Sequence, residues 1–234
     1  MISMTKHGGR AARCLLISAA LTAFCAVTAS AAVSDEQVWT QVSANVKLSD
    51  RWRLSQEFVG RFSDRRQGLY EIESNTLLGY KINKVVTVWA GYTHAPNYFD
   101  GDFTVMERRA REQVTFDGFA QLGGGKVSAR MRMEQRWRHG VEEAGWRLRP
   151  YLKWSLPLKN KVALNLSNET FVNLNETPFQ SRTGIDRMRN LITVSAPLAK
   201  TLTGEVGYMN QHGFVRGGED TDDHVASFSL SLSL

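Results

Sequence analysis

Arginine and glutamate recur at every second position in several parts of this sequence. The densest row occupies 130–136, with the pattern Arg-x-Arg-x-Glu-x-Arg, and 147–149 reads Arg-x-Arg. In a β-strand this period places all of these side chains on one face. A guanidinium group forms two parallel hydrogen bonds with a carboxylate or a phosphate, so the rows suit either internal ion pairs or the binding of an anion.

This charged face has two interpretations. Because a buried charge must find a partner, the first is an interior filled with hydrogen-bonded salt bridges, and we favour it. The second is a polar conduit, or a pocket in which arginines hold an anionic ligand. The predicted polar network consists of Glu57, Arg61, Glu73, Glu107, Arg111, Arg130, Arg132, Glu134, Arg147, Arg149, Glu169 and Arg189.

One pair of residues suggests hydrolytic chemistry. His224 and Ser227, with Glu205 or Asp223 as the orienting acid, would supply the groups of a membrane enzyme that acts on lipid. Residues three apart on a strand point to opposite faces, however, so we favour an ordinary loop histidine. We expect no cofactor.

The acid-rich segment 217–223 could bind a divalent cation through carboxylate oxygens. The candidate ligands are Glu219, Asp220, Asp222 and Asp223. The segment lacks the spacing of a calcium-binding loop, so a solvated loop is the favoured interpretation.

The charged rows belong to segments in which apolar and polar residues alternate. Such alternation is typical of a strand with one apolar and one polar environment. The segments run to about 9–11 residues, enough for a tilted strand to cross a bilayer. The eleven segments lie at about 38–48, 51–62, 69–80, 85–92, 104–116, 126–138, 146–156, 161–173, 186–196, 201–211 and 224–234.

The connections and the aromatic residues favour a transmembrane barrel over a soluble β-protein. Short and long gaps nearly alternate, as periplasmic turns and extracellular loops do, with 93–103 a long gap and 117–125 longer than this rule expects. Aromatic residues on the apolar faces lie at strand ends, where two interfacial girdles require them. They are Trp52, Tyr80, Phe116 and Trp154 beside the short turns, and Phe62, Tyr70, Tyr92, Trp137 and Trp146 beside the long loops.

Two features do not fit a regular barrel. The apolar face of 104–116 includes Arg108 and Glu112, for which a bulge or a soluble helix over 107–112 is the alternative explanation. Single-chain bacterial barrels also have an even number of strands. We therefore expect ten strands, if 38–48 is not a full crossing, or twelve, if two strands have been merged.

The N-terminal segment has the three parts of a secretory signal. Three basic residues precede an apolar run from Leu15 to Val27, which is too short for a membrane-spanning helix, and Ala29-Ser30-Ala31 fits signal peptidase. We expect residues 1–31 to be removed and 32–234 to form the barrel. Both cysteines, Cys14 and Cys25, lie in the signal. The remaining 26 basic and 23 acidic residues give a net charge of +3, which does not indicate nucleic-acid binding.

An ordered set of short motifs, across nearly all of the predicted mature chain, resembles the bacterial family called domain of unknown function 2490. No single motif is specific, but their order is. The resemblance implies an exported, barrel-like protein and implies no activity, cofactor or catalytic residue. The motifs are Trp39, Trp52-Arg53-Leu54 with Glu57 and Arg61, Leu78-Gly79-Tyr80, Trp89-Ala90-Gly91-Tyr92, Glu107-Arg108-Arg109 with Gln113, Arg130-x-Arg132-x-Glu134-x-Arg136, Arg147-Leu148-Arg149-Pro150, Glu169-x-Phe171-x-Asn173 and Gly207-Tyr208.

The sequence therefore predicts an all-β protein, a single antiparallel transmembrane β-barrel of about 10–12 strands in a Gram-negative outer membrane. Its expected partners are outer-membrane lipid and the barrel-assembly machinery. The favoured function is a structural or interaction role with a plugged polar lumen. The alternatives are a narrow channel for small polar or anionic solutes and an outer-membrane lipid-modifying hydrolase.

Overall fold

The computed structural model describes residues 32–234, so the predicted signal peptide lies outside the described residues. This part of the chain is almost entirely β-strand, with one turn of 3₁₀ helix at Lys159–Lys161. None of its helical segments has the length and apolar character needed to cross a membrane. The strands are β1 (Val33–Lys47), β2 (Trp52–Ser63), β3 (Gly68–Lys81), β4 (Val86–Phe99), β5 (Asp102–Leu122), β6 (Gly125–Arg138), β7 (Gly145–Pro157), β8 (Ala163–Asn173), β9 (Gly184–Pro197), β10 (Leu202–Gly213) and β11 (Thr221–Ser233).

These eleven strands form one closed barrel in which each strand pairs with its neighbour in sequence and β1 pairs with β11. Ten of the pairs are antiparallel. The closing pair is parallel and aligns Val33 with Thr221 and Asn45 with Ser233. Eleven strands lie within the predicted range of about 10–12, but the expectation of an even number is wrong, because β1 is a full strand and no two strands were merged. An odd number of successively reversing strands leaves the first and last pointing the same way, so parallel closure follows.

The connections lie alternately at two ends of the barrel. We call one the turn end (48–51, 82–85, 123–124, 158–162 and 198–201) and the other the loop end (64–67, 100–101, 139–144, 174–183 and 214–220). Strands β1 and β11 both start at the loop end. Two predicted connections, 93–103 and 117–125, are instead mostly strand, and in each of them only two residues form the turn of a β-hairpin. Asp100-Gly101 and Gly123-Gly124 have positive φ at both residues, the backbone of the tight hairpin turns that match strand twist.

Strand β5 is continuous over 21 residues, so the alternative of a helix over 107–112 is wrong. Its pairing with β6 shifts register between Phe116 and Ala120, and the hairpin tip beyond this bulge packs against Trp154, whose Nε1 donates to the Leu122 carbonyl (2.8 Å). Before the bulge the register is regular. Arg108 and Glu112 therefore stay on the exterior face, where Glu112 is exposed.

The exterior is apolar and the interior polar, as the alternation predicts. Val42, Phe58 and Val206 are each more than half exposed on the exterior. Two of the predicted girdle positions differ. Tyr92 lies in the middle of β4 because that strand continues to Phe99. Tyr70 points into the lumen, where its hydroxyl donates to Gln37 Oε1 (2.9 Å), after a register shift at Arg61/Phe62 in the β2–β3 pair.

Candidate functional site

The lumen holds most of the buried charge of the described chain. Away from the bulges, the inward positions of each strand have one parity, so the alternating rows of the sequence become rows on the lumen wall. Buried apolar side chains are few, and the small cluster of Trp39, Met209 and Val225 lies near the β1–β11 closure. The buried charged residues are Asp35, Arg61, Glu71, Glu73, Glu107, Arg109, Arg111, Arg132, Glu134, Arg136, Arg147, Arg149, Glu169 and Arg189.

One group of ion pairs, which we call cluster A, connects β2, β3, β5 and β6. Arg109 is its centre. Its Nη2 donates to Glu71 (3.0 Å), its Nη1 to Glu73 (2.5 Å) and its Nε to Glu107 (2.6 Å). Arg61 also contacts Glu71 and Glu73. Glu107 has further bonds from Arg136, at 3.0 Å to each carboxylate oxygen, and from Arg138 (2.9 Å). Cluster A consists of Arg61, Glu71, Glu73, Glu107, Arg109, Arg136 and Arg138.

A second group, cluster B, is centred on the carboxylates of Glu134 and Glu169. Glu134 accepts from Arg147 Nε (3.0 Å) and Nη2 (2.6 Å) and from Arg149 Nη1 (2.7 Å). Arg149 also donates to Glu169 through Nη2 (2.8 Å) and Nε (3.2 Å), so it bridges the two acids. Arg130 donates to Glu169. The full cluster is Arg111, Arg130, Arg132, Glu134, Arg147, Arg149, Glu169 and Arg189.

Two buried aromatic rings lie among these cations. The Phe171 side chain is 1% exposed, and the guanidinium carbons of Arg149 and Arg189 lie 4.3 and 4.5 Å from its ring centre. Trp39 contacts both clusters, with Arg61 at 4.2 Å and Arg189 at 4.5 Å from its ring. The negative face of an aromatic ring attracts a cation, so the two rings help to stabilise arginines whose charge the carboxylates do not balance.

The charges of the two clusters are unequally balanced. Cluster A has four arginines for three glutamates, whereas cluster B has six arginines for two. The excess is concentrated on three arginines that have no carboxylate within hydrogen-bond distance. The nearest carboxylate to Arg111 and Arg132 is Glu134, at 3.8 and 3.9 Å, and the nearest to Arg189 is Glu169, at 3.8 Å. Arg132 Nε donates to Gln113 (2.9 Å), and Arg111 Nη1 donates to Thr93 (3.1 Å) and to Asn75. These uncharged partners satisfy hydrogen bonds without neutralising the cations.

Glu57 takes no part in the ion pairs. Its Oε1 accepts from Asn75 Nδ2 (2.8 Å), and Asn75 Oδ1 in turn accepts from Thr93 Oγ1 (2.6 Å). Sequence reasoning did not select Asn75 or Thr93, although both occupy inward positions on β3 and β4. Their inward parity was the available signal.

The ion pairs leave two neighbouring cavities in the lumen. The loop-side cavity, of about 250 Å³, is lined by charged side chains of both clusters and by Arg187. The turn-side cavity, of about 180 Å³, is lined by Arg111, Arg130 and Arg132 together with Tyr151 and Ser227. Four side chains line both cavities, and we call them the partition: Arg61, Glu73, Arg149 and Arg189.

The connection 174–183 folds over the loop end of cluster A. Gln180 is buried, and its Oε1 accepts from Arg136 Nη1 (3.0 Å) while its Nε2 donates to the carbonyls of Trp146 (3.0 Å) and Asn175 (2.8 Å). The Phe179 ring covers the guanidinium groups of Arg136 and Arg138. Nothing in the sequence pattern distinguishes Gln180 from an ordinary loop residue, so this contact was not predicted.

The candidate catalytic residues are not brought together. His224 lies on the exterior of β11, where its Nδ1 is 2.6 Å from the Tyr208 hydroxyl, and Ser227 faces the turn-side cavity. Each suggested acid has another partner: Glu205 accepts a hydrogen bond from Asn165 (3.3 Å), and Asp223 accepts one from Gln211. The geometry does not support a His-Ser-acid triad.

The carboxylates of the four acidic candidates for cation binding do not converge on one point. Asp220 and Asp222 contact opposite nitrogens of His212, at 3.4 and 2.9 Å. Asp223 faces the lumen, and Glu219 is exposed in the connection 214–220. Within residues 32–234, no group of three or more His, Cys, Asp or Glu side chains is placed to hold a metal ion.

Comparison with known proteins relates the chain to uncharacterised relatives. An uncharacterized protein of Methylorubrum extorquens strain AM1 is 30% identical over 224 residues, covering 94% of this chain and 97% of the relative. Among solved structures, the siderophore receptor PirA from Pseudomonas aeruginosa aligns with a TM-score of 0.26 and 14% identity. That alignment covers 74% of this chain and 36% of the receptor, so the chain spans about a third of the receptor's length, and the score is too low to indicate a shared fold.

The resemblance seen in the ordered motifs is confirmed by the family comparison. Residues 36–222, from the start of β1 to the start of β11, match the model described as "Protein of unknown function (DUF2490)". The match includes both ion-pair clusters, Trp39 and Phe171. This chain belongs to the DUF2490 family.

Proposed function

We propose that this protein is an outer-membrane barrel of a Gram-negative cell with a closed lumen, and that it has a structural or interaction role rather than one in solute passage. The observation that carries the proposal is the partition, whose four side chains line both cavities and lie within the lumen: Arg61, Glu73, Arg149 and Arg189. Barrels need about sixteen strands before water occupies the centre, and eleven leave a space that side chains can fill.

The exterior supports the membrane location. All eleven strands carry exposed apolar side chains on their outer faces. Near the turn end, Trp52 and Tyr80 pack edge to face, with 5.1 Å between their ring centres. Closure removes free sheet edges, which a bilayer does not tolerate. Together with the predicted signal peptide, these features favour outer-membrane lipid and the barrel-assembly machinery as partners.

A narrow channel for small anionic solutes is the second candidate. The loop-side cavity favours it, because its wall has nine arginines and three glutamates and opens among the loop-end connections. A wall with such an excess of positive charge attracts anions. For conduction, however, the partition would have to move, and its side chains are held by paired, buried hydrogen bonds.

Cell fractionation, heat-dependent gel migration and bilayer recording test the proposal. The protein should be recovered with outer membranes and should migrate anomalously until boiled, because a closed barrel resists detergent. Reconstituted in planar bilayers it should give no large, stable conductance, and alanine at both Arg132 and Arg149 should open at most a small leak. Recovery as a soluble protein without a gel shift contradicts the location. Reproducible large conductance of the unmutated protein contradicts the closed lumen.

A further inference from the structure

The turn-side cavity has more positive charge than its own carboxylates balance. Its wall includes six arginines, Arg61, Arg111, Arg130, Arg132, Arg149 and Arg189, and three glutamates, Glu57, Glu73 and Glu169. Glu73 and Glu169 already accept hydrogen bonds from Arg109, Arg149 and Arg130. An unbalanced charge in a buried site is expensive, since its hydration is lost without a compensating partner.

Three of these arginines have no carboxylate within hydrogen-bond distance: Arg189, whose Nε donates to Gln211 (2.7 Å) and whose Nη1 lies 3.8 Å from Glu169, and the pair Arg111 and Arg132. The Nε of Arg111 is buried and has no hydrogen-bond partner in the described chain, and the Arg111 side chain is 3% exposed. Arg132 uses its Nε for Gln113, and its Nη1 lies 3.9 Å from Glu134. The two residues occupy neighbouring strands, β5 and β6, and line the same cavity.

From this arrangement we infer that the turn-side cavity binds a small oxyanion of the phosphate class, held by Arg111, Arg130 and Arg132. Guanidinium groups match the oxygens of phosphate with paired hydrogen bonds, which a spherical anion cannot accept in the same way. The cavity volume of about 180 Å³ corresponds to roughly six water molecules at ~30 Å³ each, so an oxyanion fits with some of its hydration. Water alone would satisfy the donors but would not neutralise the charge.

This inference rests on the proposed closed lumen and names a ligand for the turn-side cavity within it. Inorganic phosphate is the probe, added to the full mature barrel in a neutral detergent and an oxyanion-free buffer. Titration calorimetry should show saturable binding of one phosphate per chain, and the temperature of unfolding should rise with phosphate concentration. Sodium chloride at the same ionic strength should give a smaller rise, because it screens charge without bidentate bonding. An equal response to the two salts, or no saturable binding, overturns the inference.

Matched variants locate the site. Arg132→Gln removes one surplus cation and keeps a side chain able to bond Gln113, so the barrel should fold and its phosphate affinity should fall at least about tenfold, or 1.4 kcal/mol. Arg187→Gln is the control, because Arg187 lines only the loop-side cavity. The phosphate affinity of this variant should equal that of the unmutated protein. Retained gel shift on boiling verifies folding of both variants. Equal loss of affinity in the two variants contradicts the assignment to this cavity.

A competition experiment identifies the source of the phosphate group. If the ligand is a lipid headgroup, detergent micelles containing a short-chain phosphatidic acid should compete with inorganic phosphate. If it is the free ion, phosphate binding should be unaffected by the lipid. A barrel that shifts on boiling and does not conduct, yet binds no phosphate, would overturn this inference and leave the closed-lumen proposal standing.

Discussion

Glu134 offers the sharpest test of the ion-pair clusters, because it is fully buried and accepts three hydrogen bonds from two arginines. Glu134→Gln preserves the shape of the side chain and removes its charge. The remaining amide oxygen can serve one arginine, while the amide nitrogen is a donor that faces other donors. Cluster B would then have one carboxylate for six arginines. Removing one partner of a buried pair typically costs about 3–5 kcal/mol, and we expect a loss in that range.

Urea unfolding of the barrel in detergent measures this loss, followed by tryptophan fluorescence and by gel migration. With a denaturant slope of about 1–3 kcal/mol per molar, the midpoint should fall by on the order of 2 M. Arg132→Gln is the matched control. It removes a surplus cation from the same cluster, so its stability should change by less than about 1 kcal/mol or should increase.

A double variant separates charge from packing. Adding Arg147→Gln to Glu134→Gln removes one of the cations that the first change strands, so part of the lost stability should return, with a coupling of about 1 kcal/mol or more. If Glu134→Gln costs no more than Arg132→Gln, or if the double variant is simply additive, the carboxylates do not stabilise the lumen in the way argued above.

Two further predictions concern packing. Phe171→Ala should cost about 3–5 kcal/mol in the same urea assay, because it empties a buried site among four guanidinium groups. Phe58→Ala on the half-exposed exterior should cost clearly less. Equal effects would contradict the argument from packing, and a larger cost for Phe58→Ala would mean that the faces are reversed. Gly207→Ala should lower the yield of folded, heat-shifting barrel, because a Cβ there lies 2.1 Å from the Ile192 carbonyl oxygen of the paired strand. Gly204→Ala is its control, since that Cβ meets the flexible Leu198 side chain, and the reasoning fails if both variants fold equally well.

The period of two was sufficient to predict the barrel, with an apolar exterior and a polar interior. The same pattern gave eleven segments, the number of strands in the structure, but the rule of even numbers led to an expectation of ten or twelve. The period of two failed where a bulge intervenes. Tyr70 is the unpaired residue at one register shift, and its side chain turns inward. The segment 117–122 remains in β5 although it contains another register shift. Bulges change facing locally and leave no clear trace in a pattern of apolar and polar residues.

The sequence pattern does not identify which of the charges on the lumen wall find partners. Arg109 pairs with Glu73 across 36 residues, and Arg130 with Glu169 across 39, so the pairing depends on strand tilt and lumen width rather than on spacing along the chain. A count of inward residues therefore suggested dense mutual neutralisation. Only the assigned contacts separate a nearly balanced cluster A from a cluster B with four unmatched cations. That distinction matters for function, because a balanced cluster requires nothing further to be stable, whereas the surplus around Arg111 and Arg132 requires an anion.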